Sequence, residues 1–363
     1  MLFDADGHYS PKFAYDRMMG EYAHLRPRIV TDACGTTLLF GSTNHPKVAH
    51  SFNEAQTCDI DRRLEDLDRL GIDMQVLFPN HSGLYYGLED VKAAAALCRN
   101  HNDGIAEQEK LGRFIAPAMV PFQDCDESIA ELHRVVKQHG LRSLVISPNI
   151  DGQNIDRLDM WDFYAEVERL GVSILFHGDA DSRLLGYERM DKYRLLTCLG
   201  FPFDYMVAIA CLIYSGILDR FPNLKILFAE GGVSFLPFLE DRLEDTMETF
   251  NAPWARDNFA IRSRPNNTRP PKEYFERFHH VIGLDESLLE LVLERYGIDK
   301  FMVGTDYPHP DAHINAAKAV EELSSISREA HEAITWGNAQ RFFDLPDSIE
   351  TGKPLEPVAA VGE

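Results

Sequence analysis

Residues 2–8 read LFDADGH, a short apolar start that runs directly into two aspartates and a histidine. In a β-strand every second side chain points to the same face, so Asp4, Asp6 and His8 would face the same way. Two carboxylates crowded beside an imidazole are costly unless a cation or solvent offsets their charge. A cation site and a solvent-exposed chain end both explain this stretch when it is taken alone.

Seven further apolar runs follow along the chain, and each has the length of a strand. Near-continuous runs of Val, Ile, Leu and Phe are typical of strands that are buried on both faces of a parallel sheet. We predict strands at residues 2–6, 74–79, 114–120, 143–147, 172–177, 224–230, 279–284 and 301–306.

Amphipathic stretches with helical periodicity accompany the predicted strands. They cover residues 59–70, 89–111, 126–138, 159–170, 205–220, 235–250, 287–296, 312–324 and 327–343. Alternation of about eight strands with helices predicts an α/β fold of the (β/α)₈ TIM-barrel type. A doubly wound sheet is the alternative, but the chain has neither the G-x-G-x-x-G nor the G-x-x-x-x-G-K-[ST] motif that such a fold would carry.

Two long stretches interrupt the plain repeat. Residues 9–57 read as a loop-like insertion after the first strand, and residues 251–271 form a second insertion before the seventh. Insertions of this kind usually cover the active-site mouth of a barrel, at the carboxyl ends of its strands. We therefore predict one domain over residues 1–344 and a disordered tail over residues 345–363.

Composition limits the class of partner. The chain has 363 residues, with 58 acidic and 36 basic side chains and a net charge of −22. This charge argues against nucleic acid and against an anionic membrane surface as main partners. The longest apolar run, residues 205–218, is too short to cross a bilayer. The first residues lack the features of a secretion signal, and the six cysteines are scattered, so we expect reduced thiols and a cytoplasmic protein.

Polar residues stand at the carboxyl ends of the predicted strands, where barrel chemistry takes place. Strand one ends with Asp6 and His8, strand five with His177, strand six with Glu230 and strand eight with Asp306. Each residue alone has an ordinary explanation, such as a core histidine, a solvated turn or a helix N-cap. A barrel would bring all five to one mouth, and this convergence favours a metal site.

The motifs around these residues resemble the amidohydrolase superfamily, in its branch of decarboxylases that act on aminocarboxymuconate semialdehyde, resorcylate and carboxyvanillate. The resemblance runs from residue 3 to about residue 310. Its marks are D-A-D-G-H-Y at residues 4–9, F-H-G at 176–178, E-G-G-V-S-F-L-P at 230–237 and G-T-D-Y-P-H at 304–309. The last motif is the most specific of the four.

The resemblance implies a divalent metal held by Asp6, His8, His177 and Asp306, and it implies catalytic roles for Asp306, His177 and Glu230. Two features depart from the branch. The opening pair is often H-x-H or E-x-H, whereas here it is D-x-H. Strand six often ends in a histidine, whereas here it ends in Glu230, which could act on a proton, bind a second metal or bridge two metals.

The charge and the chemical type of the candidate ligands limit how many metal ions the site could hold and which metal would suit it. Asp6, Glu230 and Asp306 carry three negative charges when ionised, and histidines bind metals as neutral imidazoles. One divalent ion or two would each leave a nearly neutral site. Because strand four ends at Ser147 and not at a lysine, a carbamylated lysine bridge is excluded. Carboxylate and imidazole ligands without thiolate suit Zn, Mn or Fe.

Three functions remain open at this level. The first is metal-dependent hydrolysis or nonoxidative decarboxylation of a small carboxylated substrate, in which a metal lowers the pKa of bound water toward ~7 or holds the substrate. The second is oxygenation by one or two nonheme iron ions, with a CoA-linked acid as a candidate substrate. The third is a barrel that binds a metal or ligand without catalysis. The resemblance also implies a homo-oligomer, specifically a dimer.

Four arginines lie in or beside the second insertion of an otherwise acidic chain. A guanidinium pairs with carboxylate or phosphate in a bidentate way, so we predict that this segment binds an anionic substrate. A solvated loop that offsets the acidic surface is the alternative. The arginines are Arg256, Arg262, Arg264 and Arg269.

Overall fold

The structure is a computed structural model of the whole chain. Its described residues fall in the ranges 1–21, 57–80, 88–178, 195–254, 264–282, 286–309 and 326–347. Shorter described pieces lie at residues 24, 28–32, 35–39, 49–51, 86, 184–186, 189–190 and 193.

All eight predicted strands are confirmed, and we label them β1 to β8 in chain order. The third is split into two pieces by Ala116 and Pro117, because proline cannot donate a ladder hydrogen bond. The strands are β1 (Phe3–His8), β2 (Met74–Phe78), β3 (Phe114–Ile115 and Ala118–Met119), β4 (Ser143–Ile146), β5 (Ser173–His177), β6 (Lys225–Ala229), β7 (Phe278–Ile282) and β8 (Phe301–Val303).

The eight strands form a closed parallel barrel. One sheet runs from β1 through β2 to the first piece of β3, and a second runs from the other piece of β3 through β4, β5, β6 and β7 to β8. A parallel bridge between Gly7 and Tyr307 joins the first strand to the last. Two further hydrogen bonds close this seam, from the His8 amide to the Tyr307 carbonyl at 2.7 Å and from the Asp306 amide to the Asp6 carbonyl at 2.8 Å.

The barrel strands are buried on both faces, as their apolar runs predict. Ile174 and Phe176 of β5 belong to one cluster of buried apolar side chains, and Leu175, which lies between them, belongs to another. The same alternation appears in β6, where Leu227 lies between Ile226 and Phe228. Successive strand residues point to opposite faces, so both faces need an apolar cover.

Helices follow or precede the strands as predicted, with two differences. Helix 205–220 is broken at Gly216, which takes a left-handed φ of +86°, and the predicted helix 312–324 lies outside the described residues. The helices are Lys12–Met19, Ile60–Leu70, Val91–Glu109, Cys125–Arg134, Trp161–Leu170, Phe201–Tyr214, Ile217–Arg220, Leu236–Asn251, Leu289–Tyr296, Arg328–Glu332 and Asn338–Phe343. Among the described residues, no helix is both long and apolar enough to span a membrane.

The first insertion contains regular structure, so the prediction of a loop over residues 9–57 was wrong. It holds the helix Lys12–Met19 and an antiparallel sheet of three strands, Arg28–Asp32, Gly35–Leu39 and Ala49–Ser51. Its base is closed by a hydrogen bond of 2.8 Å from the Ser10 amide to the Thr57 carbonyl. Because Ser10 lies two residues after the end of β1, this base stands at the carboxyl end of that strand.

The second insertion differs from expectation in its described part. The Asn266 amide bonds the carbonyl of Tyr214 at 2.7 Å, and Tyr214 ends the helix that descends from the mouth. Residues 264–271 then lead through the short 3₁₀-helix Pro271–Arg277 into β7, so they lie near the amino ends of the strands and away from the mouth. At the other end of the domain, Leu345 is buried, so the packed chain extends one residue beyond 344.

Candidate metal centre

Strand β1 supplies the first two donors of the site. Asp6 lies within the strand and His8 is its last residue, and both side chains are buried. The Nε2 atom of His8 lies 3.7 Å from the Oδ1 atom of Asp6. The register of β1 against β2 shifts between Asp4 and Gly7, so the strand is irregular where it carries these donors.

Strands β5 and β6 add an imidazole and a carboxylate. His177 ends β5, and its Nε2 atom lies 3.5 Å from Asp6 Oδ1 and 3.2 Å from Glu230 Oε2. Glu230 follows β6 with a φ of +62°, a region that side chains other than glycine rarely adopt. Such backbone strain concentrates at functional sites, because only the surrounding structure can maintain it.

The end of β8 contributes Asp306 and a histidine to which the sequence analysis assigned no role. Asp306 also has a left-handed φ, +59°. Its Oδ1 atom lies 3.1 Å from His8 Nε2 and 2.7 Å from Nδ1 of His309. The His309 ring stacks on His8 with centroids 4.0 Å apart. His309 was missed although it closes the quoted G-T-D-Y-P-H motif, and its spacing of three residues from Asp306 was the available signal.

The donor set fits a divalent cation. Asp6 Oδ1, His8 Nε2 and His177 Nε2 are buried, and none has a hydrogen bond of acceptable geometry among the described residues. Buried polar atoms without partners are rare in proteins and need an explanation such as an ion. These three residues can offer atoms within 4.8 Å of one another, and so can His8, Asp306 and His309. A cation among them would satisfy the three unpaired atoms.

The electrostatics of the site agree with metal binding. Burial lowers the pKa of His8 well below its usual value, so its imidazole is neutral and has a lone pair to donate. Burial alone would raise the pKa of Asp306, but the neighbouring imidazoles of His309 and His8 outweigh it and lower this pKa. Burial raises the pKa of Asp6, and a cation nearby would oppose that shift.

Tyr205 fixes the strand ends that carry His177 and Glu230. Its buried hydroxyl accepts a hydrogen bond from the Gly178 amide and donates one to the Ala229 carbonyl. A Cβ atom at Gly231 would lie only 1.9 Å from the Tyr205 ring, so this close approach requires glycine. One phenol therefore joins the ends of β5 and β6 directly beside their functional side chains.

Asp4 does not join the donors, although it alternates with Asp6 and His8 in sequence. Its carboxylate accepts hydrogen bonds from the Thr305 amide at 2.8 Å, from the Thr305 hydroxyl at 2.6 Å and from Gln75 Nε2 at 2.6 Å. Burial raises the pKa of Asp4 to about 7. Asp4 is thus engaged in fixing Thr305, the residue before Asp306.

The structure brings together the five residues predicted for the site: Asp6, His8, His177, Glu230 and Asp306. The predicted arginines do not join them in the described residues. Arg264 is exposed, and Arg269 pairs with Asp219 at 3.8 Å and lies over the Tyr274 ring, near the amino ends of β6 and β7. That position gives no support to substrate binding by Arg269. Arg256 and Arg262 lie outside the described residues.

The chain from residue 3 to residue 345 matches the family described as Amidohydrolase. This chain belongs to the amidohydrolase family. The match covers the whole barrel and every donor at its mouth. It confirms the family resemblance that the sequence motifs indicate.

Two curated relatives of this amidohydrolase are decarboxylases. The 2-amino-3-carboxymuconate-6-semialdehyde decarboxylase of Dictyostelium discoideum is 33% identical over 292 residues, which are 79% of this chain and 77% of that protein. The gamma-resorcylate decarboxylase of a Polaromonas species is 28% identical over 305 residues, or 78% of this chain and 87% of that protein.

A solved structure confirms the fold. A dihydroxybenzoic acid decarboxylase from Polaromonas, with bound manganese and an inhibitor, superposes with a TM-score of 0.70 at 23% identity, over 94% of this chain and 96% of that chain. This likeness confirms the predicted TIM-barrel fold, and the family match together with the two decarboxylase relatives confirms the prediction of an amidohydrolase enzyme. These relatives give no support to the iron oxygenase or to a non-catalytic barrel.

Proposed function

We propose that this amidohydrolase is a nonoxidative carboxy-lyase for a small unsaturated acid that carries a hydroxyl or amino group beside its carboxylate. The observation that carries the proposal is the donor group of the buried Asp6, His8 and His177 and the partly exposed Asp306 at the carboxyl ends of the barrel strands. The names of both curated relatives support it. Each names a substrate with a carboxyl next to an amino or hydroxyl group.

Asp6, His8, His177 and Asp306 would hold a divalent ion. When bound, the ion supplies positive charge that anchors substrate oxygens and stabilises developing negative charge. The set offers carboxylate and imidazole ligands and no thiolate, which suits manganese, zinc or iron. The stacked rings of His8 and His309 and the strained backbone of Asp306 keep the donors aimed at one point before substrate arrives.

Loss of CO₂ leaves an electron pair on the substrate carbon, and a proton must take the place of the carboxylate. We assign delivery of this proton to Glu230. Its side chain is 18% exposed, so solvent can restore its proton, and its Oε2 atom lies 3.2 Å from His177 Nε2, directly beside the donor group. Asp306 is less suited to donation, because His8 and His309 lower its pKa and keep it ionised. Such a positioned acid contributes typically 10²–10⁴-fold to a rate.

The proposal is tested by incubating the manganese-loaded enzyme with 2,6-dihydroxybenzoate and related hydroxy and amino acids in D₂O, once under argon and once in air. We expect release of CO₂ and one deuterium at the carbon that carried the carboxylate, without consumption of oxygen. Hydrolytic products with the carboxylate retained would contradict decarboxylation and favour the hydrolase. Turnover that requires oxygen would favour the oxygenase.

Three further predictions stay open beside this proposal. Arg256 and Arg262 remain candidates for binding the substrate anion, and substitution of either by alanine is expected to raise KM. The dimer implied by the family resemblance is expected in light scattering of the purified protein. The cytoplasmic location remains a prediction, which fractionation of cells that make the protein would test.

A further inference from the structure

Arg63 is a guanidinium that the barrel removes entirely from solvent. It lies on the helix Ile60–Leu70, and its exposed fraction is 0%. Buried arginines are rare because desolvation of the charge is costly. Burial lowers the pKa of Arg63 to about 10, which still leaves the side chain charged at neutral pH. Other interactions of Arg63 must therefore compensate the cost of desolvating its charge.

The contacts of Arg63 converge on the seam between β1 and β8. One terminal nitrogen donates to the carbonyl of His8 at 2.5 Å. The other donates to the carbonyl of Tyr307 at 3.4 Å and to the Gln75 side-chain oxygen at 2.8 Å. The guanidinium carbon also lies 4.7 Å from the centre of the Tyr307 ring. One side chain thus holds both strand ends that flank the donors His8 and Asp306.

Gln75 links Arg63, through Asp4, to Thr305, the residue before Asp306. Its amide nitrogen donates to Asp4, whose carboxylate in turn accepts the amide and hydroxyl of Thr305. The chain makes room for this link with glycine, since a Cβ atom at Gly7 would lie 2.3 Å from the Gln75 side chain. These hydrogen bonds therefore connect β1, which carries Asp4, with the residues that follow β8.

The backbone pairing across the seam is short. In the described residues, β1 and β8 are joined by the single bridge between Gly7 and Tyr307 and its neighbouring hydrogen bonds. The planar fork of arginine reaches two carbonyls and an amide at once, whereas the compact ammonium of lysine cannot reproduce that geometry. A lysine at this position would keep the charge but could not bond both carbonyls and the Gln75 side chain at once.

We propose that Arg63 is a positioning residue that clamps the β1–β8 seam and so sets the spacing of the metal donors His8 and Asp306. The inference rests on the metal centre of the proposed function. Groups that orient metal ligands typically change metal affinity by 10–100-fold when they are lost. Replacement of Arg63 is therefore expected to weaken metal binding as well as to lower the stability of the protein.

Arg113 provides a matched control. It is also buried, with 7% exposed, and it also donates to two carbonyls, those of Asp73 at 2.6 Å and Ile72 at 2.7 Å. It stands directly before β3 and bonds the two residues that precede β2, at the amino end of the barrel and far along the strands from the donors. Its replacement removes a similar set of bonds without touching the seam.

The experiment measures the Mn²⁺ dissociation constant of the full chain by competition with a chelating dye, and the melting temperature of the metal-free protein. We expect Arg63→Lys to raise the dissociation constant about 10–100-fold, whereas Arg113→Lys lowers the melting temperature and leaves the dissociation constant unchanged. Gln75→Met, which removes the amide beside Arg63, should weaken binding in the same direction and serves if Arg63→Lys does not fold.

Wild-type affinity in Arg63→Lys and Gln75→Met would overturn the clamp. Equal losses of affinity in Arg63→Lys and Arg113→Lys would also overturn it, because general loosening would then explain both. His8→Ala separates this failure from that of the metal centre itself. If His8→Ala loses Mn²⁺ while the Arg63 variant keeps it, only the clamp fails; if His8→Ala keeps Mn²⁺, both proposals fail.

Discussion

The Nε2 atom of His8 at the end of the first strand lies 3.1 Å from the Oδ1 atom of Asp306, just beyond the last strand. Closure of the barrel creates this contact, because β1 and β8 meet only at the seam. An imidazole that burial keeps neutral thus faces a carboxylate that its histidine partners keep ionised. These are the protonation states in which both groups bind a metal.

Replacement of the carboxylate at the seam is expected to remove the metal. Asp306→Asn keeps the shape of the side chain and loses its charge, so we expect metal affinity to fall by more than the roughly 10–100-fold typical of a residue that only orients a ligand. Competition with a chelating dye measures the loss. Asp299→Asn is the control, since Asp299 is exposed and pairs with Arg341. Metal binding at wild-type strength in Asp306→Asn would remove Asp306 from the ligand set.

Glu230→Gln distinguishes the two roles of this carboxylate. As the proton donor, Glu230 can be replaced with retention of the metal, and we expect kcat to fall about 10²–10⁴-fold. Elemental analysis and turnover of the same preparation give the answer. Glu107→Gln, at an exposed glutamate, controls for the loss of one surface charge. A parallel loss of bound metal would instead make Glu230 a ligand, and full activity would exclude both roles.

His309 is expected to orient Asp306. In His309→Ala the contact of 2.7 Å to Asp306 and the stack on His8 are lost, so we expect metal affinity to drop about tenfold or more. His309→Asn places an amide donor where Nδ1 stands and should recover part of this loss. The two dissociation constants are compared in one titration series. Equal affinity in both variants, at the wild-type value, would leave His309 with no part in the site.

His280 should make stability fall on the acid side. Burial between Phe228 and Phe301 lowers the pKa of His280 to about 3. The unfolded chain takes up this proton below about pH 6.5 and the folded protein does not, so stability present above pH 6.5 is lost as the pH falls toward 3. Between pH 6.5 and pH 5 this single group costs about 2 kcal/mol.

His280→Phe keeps a planar ring and removes the proton site, so the free energy of unfolding should decline less between pH 7 and pH 5. Urea denaturation at several pH values measures the slope. His331→Phe, at a partly exposed histidine, is the control. A slope identical to that of the wild type in His280→Phe would show that His280 takes up its proton in the folded protein as readily as in the unfolded chain.

The barrel could be predicted because its signals are local. Each strand is buried on both faces, so runs such as residues 172–177 and 224–230 are mostly apolar and do not alternate with polar residues. The ends of these runs then locate Asp6, His177, Glu230 and Asp306, since parallel strands of a barrel present their carboxyl ends at one mouth. The sheet of three strands inside residues 28–51 was missed because its short strands, such as Arg28–Asp32 and Gly35–Leu39, have no comparable apolar run.

The tertiary structure alone decided which polar residues face the site and which support it. Asp4 and Asp6 alternate identically in sequence, yet the register shift after Asp4 leaves one bonded to Thr305 and the other among the donors. Arg63 reads as an ordinary helical charge, and only barrel closure places it against the carbonyls of His8 and Tyr307. Periodicity along the chain reports burial of a segment, whereas such contacts depend on segments that are distant in sequence and meet only in the folded barrel.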